Sequence, residues 1–304
     1  MYDIIIIGGG PAGLTAATYA CRAGKTVLVI EKAAFGGQIT WSPKVENFPT
    51  IISISGTELG DRLLEQAMEQ GAEVELEEVT AVKTDGDVKR VCCDSGAEYE
   101  AKAIIIATGA KPRMLGLERE EELVGSGVGF CAVCDGAFFR GQDVAVVGGG
   151  DTAFEDAAYL AGICSKVYLI HRGDSFTASD VLQKPVLENK NITVITNSEV
   201  SEVSGESSVN TVTVRSRANG SEAKIAVSAV FVAVGVAPDN AIFGEAVKLD
   251  NRGYIIAGED CLTETEGVFV AGDTREKQLR QLVTAAADGA VAATAAFRYI
   301  KKNF

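Results

Sequence analysis

Asp3-Ile4-Ile5-Ile6-Ile7-Gly8-Gly9-Gly10-Pro11-Ala12-Gly13 opens the chain as a continuous apolar run that breaks into a glycine-rich turn. The same pattern returns at Asp143-Val144-Ala145-Val146-Val147-Gly148-Gly149-Gly150-Asp151-Thr152-Ala153. The copies align without a gap: Asp3 falls on Asp143, Gly8 on Gly148, Tyr19 on Tyr159 and Ile30 on Ile170. Each reads as strand, tight turn, helix and second strand, the βαβ unit that binds dinucleotides. In the first copy Gly8 permits the turn, Gly10 lets the backbone approach a pyrophosphate, and Gly13 lets the helix pack close to its strand. The whole turn from Gly8 to Gly13, Pro11 and Ala12 included, is a candidate anion cradle, because the helix N–H groups face it. Glu31 ends the second strand, where a carboxylate takes ribose hydroxyls. The fold class that follows is α/β, with two Rossmann-like dinucleotide-binding domains of the three-layer ββα type, the second inserted in the first.

The rest of the chain fits a nested order. A helix around Glu58 to Gln70 and short strands near Glu73–Leu76, Val79–Thr84 and Arg90–Cys93 continue the first domain. Ile104-Ile105-Ile106-Ala107-Thr108-Gly109 reads as a buried strand ending in a turn. Its counterpart in the second copy is Val230-Phe231-Val232-Ala233-Val234-Gly235. After Pro238 the chain returns to the first domain, with a last strand ending at Gly272-Asp273 and a long Ala-rich helix from about Gln281 to Tyr299. The expected limits are 1–114 with 247–304 for the first domain and 115–246 for the second.

Composition narrows the function classes. Of 304 residues, 47% are hydrophobic, enough for real cores, and the net charge of −14 excludes nucleic-acid binding through a global basic surface. Two local basic clusters remain, Lys111/Arg113/Arg119 and Arg275/Lys277/Arg280. No apolar run is long enough to span a bilayer, and the N-terminus goes straight into a strand without a signal-peptide pattern. The expectation is a cytoplasmic protein with no membrane partner. Seven Cys in a chain of this length do not suggest a secreted disulfide scaffold.

Only Cys131-Ala132-Val133-Cys134 has motif spacing. Such a pair at a helix start has lowered thiol pKa values and closes into a disulfide, whereas zinc needs two further ligands that the sequence does not cluster. Asp135 follows directly, either as a proton relay to the dithiol or as a helix-cap residue. The second glycine turn offers Gly148, Gly150, Asp151, Thr152 and Ala153 to a pyridine nucleotide. His171 then stands in the place of Glu31, with Arg172 after it. His171 is the only histidine and reads equally as a structural residue.

Taken in order, these residues resemble the low-molecular-weight thioredoxin reductases, across essentially the whole chain. The landmarks are Gly8-x-Gly10-x-x-Gly13, Gly36-Gly37-Gln38, Val45-Glu46-Asn47-Phe48-Pro49, Ala107-Thr108-Gly109, Cys131-x-x-Cys134-Asp135-Gly136, Gly148-x-Gly150-x-x-Ala153, Gly272-Asp273 and Arg280-Gln281. The resemblance implies FAD at the first site, held by Glu31, Gly37, Gln38, Asn47, Thr108, Gly109, Gly272, Asp273, Arg280 and Gln281. It implies NADPH or NADH at the second, Cys131–Cys134 as the redox pair, Asp135 as its acid, a homodimer, and thioredoxin as final acceptor.

One departure bears on the donor. Members that use NADPH carry His-Arg-Arg-x-x-x-Arg after the second strand of the second copy. Here the run is His171-Arg172-Gly173-Asp174-Ser175-Phe176-Thr177. Each lost charge-assisted bond to a 2′-phosphate is worth roughly 1.5–3 kcal/mol. The alternatives are therefore NADH, a ferredoxin donor that bypasses the nucleotide, or a non-catalytic flavin redox sensor.

Overall fold

The computed structural model describes residues 1–304. The chain divides into two compact units, Met1–Lys111 with Ala237–Phe304, and Pro112–Val236, so the second is an insertion in the first. The chain passes between them through two short strands, Lys111–Pro112 and Val236–Ala237, which pair with each other. Six α-helices occur: α1 Pro11–Arg22, α2 Gly56–Glu69, α3 Ala132–Asp135, α4 Asp151–Ala161, α5 Asp180–Leu187 and α6 Leu282–Asn303.

In the first unit the strand order is Glu73–Leu76, Val27–Glu31, Tyr2–Ile7, Glu98–Ile106. Register follows the repeat: Ile4 pairs with Val27 and Ala103, Ile7 with Ile30 and Ile106, all parallel. The far edge of Glu98–Ile106 is shared. Its first residues pair antiparallel with Lys89–Cys93, and Ile104 to Ile106 pair in parallel with Val268–Val270. Side chains alternate across this sheet. Ile4, Ile6, Val29 and Ile105 pack under α1 and α6. Ile5, Ile7, Ile30 and Ile106 pack on the other face with Val82, Val91 and Phe243.

The second unit repeats the plan. Its parallel sheet runs Ile192–Ile195, Lys166–Ile170, Asp143–Val147, Ala229–Val232, Val128–Gly129. Val144 and Val146 face the side of α4, while Ala145 and Val147 face an antiparallel sheet of Ser198–Ser204, Thr211–Ser216 and Glu222–Ala226. Helix, parallel sheet and antiparallel sheet are the three layers of a Rossmann-like unit, and there are two of them.

Residues 237–246 lie with the first unit for a physical reason. Phe243 is fully buried in its core, and the Asn240 amide donates to the carbonyls of Gly253 and Thr274 at 3.0 and 3.1 Å. The basic cluster at Arg275, Lys277 and Arg280 is not a surface patch. Arg275 and Lys277 are buried on the carboxylate of Asp288, so a run that reads as solvated is an internal ion cluster. No helix is long and apolar enough to cross a membrane.

Candidate functional site

The first site forms where the strands Tyr2–Ile7, Glu98–Ile106 and Val268–Val270 end and where α1 and α6 begin. Gly8 sits at φ 110°, and a Cβ there would strike the backbone of Ala107. A Cβ on Gly13 would strike the Gly8 carbonyl, which explains why helix and turn close only over glycine. Gly10 caps α1 with no side-chain bond and has nothing within 4 Å of its Cβ position. That open cradle, at the positive end of a helix, has the shape a pyrophosphate needs. Glu31 is already oriented: its carboxylate accepts from the Gly9 N–H at 2.7 Å and the Ala33 N–H at 3.0 Å.

The remaining expected residues surround the same place. Gly37 lies 3.2 Å, Cβ position to Cα, from Gly10. Gln38 donates to the Ala110 carbonyl at 2.7 Å, beside Gly109. Thr108 meets the Thr274 hydroxyl at 3.0 Å and donates to Asn240 at 3.3 Å. Asn47 donates to Gln281 at 3.4 Å, and Gln281 caps α6 in a reciprocal pair with Thr284. Arg280 lies 4.2 Å over the Tyr254 ring and reaches the Asp273 carbonyl.

Asp273 supplies the sharpest test of fit. Its Oδ1 is buried with no hydrogen-bond partner. Burial pushes its carboxyl above the ordinary value, against the pull of Lys277 and Arg280. A buried carboxylate oxygen without a donor is costly. A ligand hydroxyl supplies the missing donor, and a ribityl or ribose chain carries several. Open cradle, oriented Glu31 and unsatisfied Asp273 together fit FAD. Sequence reading missed the support beneath: the Gly272 N–H is held at 3.0 Å by Asp288, which also binds Arg275 and Lys277.

The second unit holds the dithiol. Cys131 and Cys134 form a disulfide across α3, with Cα atoms 5.2 Å apart. Cys131 is the N-cap of α3, and its Sγ accepts from the Cys134 N–H at 3.2 Å. Val133, between them, is exposed. Asp135 makes no capping bond, and its Oδ1 is buried without a partner. Burial pushes its carboxyl up to about 6. A buried acid that caps nothing and titrates near pH 6 suits proton exchange with a neighbouring thiol. A second buried acid, Asp156, stands on α4, and burial, with the nearby charge of Glu155, pushes its carboxyl up to about 7. The repeat held a signal for it, since the aligned position in the first copy is the buried Ala16.

The second glycine turn is also open. Gly150 caps α4 without a side-chain bond, and only the Thr177 hydroxyl, at 3.6 Å, approaches its Cβ position. Ala153 is buried, while Asp151 and Thr152 are exposed, with Asp151 accepting from the Ser179 N–H at 2.7 Å. The cradle fits a dinucleotide. His171 stands against Gly149 as Glu31 stands against Gly9, but it is an imidazole and not a carboxylate. Its ring lies against Gly149, and its Nε2 is 2.9 Å from the Ser175 carbonyl. Arg172 is exposed, and its carbonyl accepts from Arg217 at 3.2 Å. Arg217 is a cation near the expected ribose position that sequence reading did not find.

A family model described as pyridine nucleotide-disulphide oxidoreductase matches residues 2–289. The chain belongs to that family. It is 42% identical to a thioredoxin reductase of Peptoclostridium acidaminophilum, with all of this chain and 98% of the relative covered. It is 41% identical to one of Bacillus subtilis, covering 99% of this chain and 96% of the relative. Among solved structures, a thioredoxin reductase of Streptococcus pyogenes superposes with a TM-score of 0.95 at 41% identity over 99% of both chains.

Proposed function

We propose that this chain is a thioredoxin-disulfide reductase with FAD as its resident cofactor and NADPH or NADH as donor. The observation that carries the reading is the Cys131–Cys134 disulfide next in sequence to a buried Asp135 whose carboxyl is pushed up to about 6, in a chain with two open glycine cradles. The full-length similarity to thioredoxin reductases supports it.

The turn from Gly8 to Gly13, Glu31, Gly37, Gln38, Asn47, Thr108, Gly109, Gly272, Asp273, Arg280 and Gln281 would hold FAD, with Asp273 Oδ1 accepting from one of its hydroxyls. When bound, FAD supplies hydride acceptance from a nicotinamide and two-electron delivery to a disulfide. Gly148, Gly150, Asp151, Thr152, Ala153, His171 and Arg172 would hold the nicotinamide nucleotide. Reduction of the Cys131–Cys134 bond takes two electrons and two protons and yields two thiols. One thiolate attacks a sulfur of the thioredoxin disulfide, and the other resolves the mixed disulfide. Thioredoxin then leaves as a dithiol and the Cys131–Cys134 bond reforms. Asp135, with its carboxyl pushed up to about 6 by burial, exchanges a proton with the pair.

Cys134→Ser tests the exit. It should abolish thioredoxin turnover, and full turnover in that variant overturns the mechanism. Anaerobic titration of the flavin tests the entrance. Bleaching by NADPH or NADH supports the nucleotide route, whereas bleaching by reduced ferredoxin alone overturns it. The proposal extends to a cytoplasmic homodimer, checked by elution at twice the 31.8 kDa chain mass.

A further inference from the structure

In the first copy the strand Val27–Glu31 ends on a carboxylate that accepts from the Gly9 N–H at 2.7 Å. In the second copy Lys166–Ile170 ends just before an imidazole and a guanidinium, His171 and Arg172. A carboxylate at this place takes the 2′-hydroxyl of an adenine ribose, whereas an arginine nearby accommodates a 2′-phosphate. The structure brings another arginine to the same loop from far along the chain. Arg217 begins the turn between the antiparallel strands Thr211–Ser216 and Glu222–Ala226. Its Nη1 donates to the Arg172 carbonyl at 3.2 Å. Its backbone is tied to the loop as well. The Arg217 N–H donates to the Asn197 carbonyl, and the Asn197 N–H donates to the Gly173 carbonyl, each at 2.8 Å. Asn197 joins the two loops at φ 49°, in the left-handed region that Asn tolerates better than most residues.

We propose that Arg217 is a specificity-determining residue for the nucleotide: beside Arg172, its guanidinium reads the 2′-phosphate of the adenine ribose and so favours NADPH over NADH. The inference rests on the reading of the second cradle as a nicotinamide nucleotide site. Arg217 is exposed, so its charge is open to a ligand arriving from solvent. A carboxylate does stand near it, since Glu199 lies 3.8 Å from Nε. Glu199 is held more closely by Arg215, at 2.6 Å, so two arginines share one acid. A guanidinium is a fork of several N–H donors, more than the contacts to Arg172 and Glu199 occupy, and its shape matches a phosphate. Asp174 is the opposing charge within the loop itself. A second cation supplied by the neighbouring strand pair offsets it.

The test is calorimetric titration of the oxidised, flavin-loaded full chain with NADP+ and, separately, with NAD+, neither of which can reduce the flavin. Arg217→Gln keeps an amide donor for the Arg172 carbonyl and loses the charge, whereas Arg217→Lys keeps the charge. Wild type should bind NADP+ more tightly than NAD+. In Arg217→Gln the affinity for NADP+ should fall about five- to twentyfold, the scale of one charge-assisted bond at an exposed site, and that for NAD+ should stay within about twofold. Arg217→Lys should stay within about threefold of wild type for both. The steady-state KM for NADPH should rise in Arg217→Gln by the same factor, and that for NADH should not. Equal losses for the two nucleotides would show that Arg217 only braces the loop, and would overturn the inference. Unchanged NADP+ affinity in Arg217→Gln, or a wild type that does not distinguish the two nucleotides, overturns it as well. A wild type that binds neither nucleotide would instead remove the reading of the second cradle beneath it.

Discussion

Asp288→Asn strikes the ion cluster under the first cradle. The Asp288 carboxylate accepts from Arg275 Nε at 2.8 Å, Arg275 Nη2 at 3.0 Å, Lys277 at 2.9 Å and the Gly272 N–H at 3.0 Å. Asparagine has the same shape but removes the charge and turns one acceptor into a donor. Arg275 then keeps only Glu259 as an ionic partner, at 3.1 Å, and that carboxylate is 91% exposed, while Lys277 has no other carboxylate within ion-pair distance. Removing one partner of a buried ion pair costs about 3–5 kcal/mol, because the remaining charges stay buried. For a unit of this size each kcal/mol moves the melting midpoint by about 2–4 °C, so a fall of roughly 6–20 °C is expected. Burial alone would raise the Asp288 carboxyl, but the hydrogen bonds from Arg275 and Lys277 prevail and hold it below its ordinary 3.8. Its stabilisation is therefore present above pH 3.8 and lost as pH falls through the folded value. The deficit of the variant should be the same at pH 6 and pH 8. Thermal melts followed by circular dichroism and by release of flavin fluorescence measure it, and flavin release should move first because the Gly272 N–H loses its anchor. A midpoint within about 2 °C of wild type at both pH values would refute the view that Asp288 neutralises this cluster.

Asp135→Asn should lower thioredoxin turnover about 100-fold and remove any limb of the pH–rate profile near pH 6. The same variant should gain stability at pH 8 relative to pH 4. Asp135 is neutral in both states below its ordinary 3.8, and as pH rises through about 6 the folded chain must hold a buried charge. Thr177→Arg restores a cation at an exposed position beside the second cradle and should improve NADPH over NADH by about tenfold in kcat/KM. An unchanged ratio in steady-state assays would remove that residue from the specificity argument. Gly13→Ala should abolish flavin retention on gel filtration, since its methyl would strike the Gly8 carbonyl.

The parts legible in the sequence are those set by periodicity and by glycine. Ile4 to Ile7 and Val144 to Val147 are central strands because unbroken apolar runs bury on both faces. The cradles at Gly10 and Gly150 follow from spacing alone. Residues whose roles depend on distant partners were not legible. Arg275 and Lys277 read as a surface patch because Asp288 stands on another element. Arg217 reaches the carbonyl of Arg172 only because the turn after Thr211–Ser216 folds back. Phe243 falls within the limits expected for the second domain until the face it buries against is known. Asp156 was visible in principle as an acid aligned on Ala16, but nothing in the repeat announces that it is buried on α4.

The insertion has a consequence for how the protein is made. Ribosomal synthesis releases Tyr2–Ile7, Val27–Glu31 and Glu98–Ile106 long before Val268–Val270 and α6 exist. Until then the face of that sheet destined for α6 lacks its cover, including the buried Ala292, Ala293 and Ala296. The inserted unit, by contrast, is complete once Val236 has emerged and can fold while its host waits. The nascent chain thus carries a finished dithiol unit ahead of a finished flavin cradle. A premature stop after the insertion would leave the dithiol unit whole and the flavin unit without its last strand and helix.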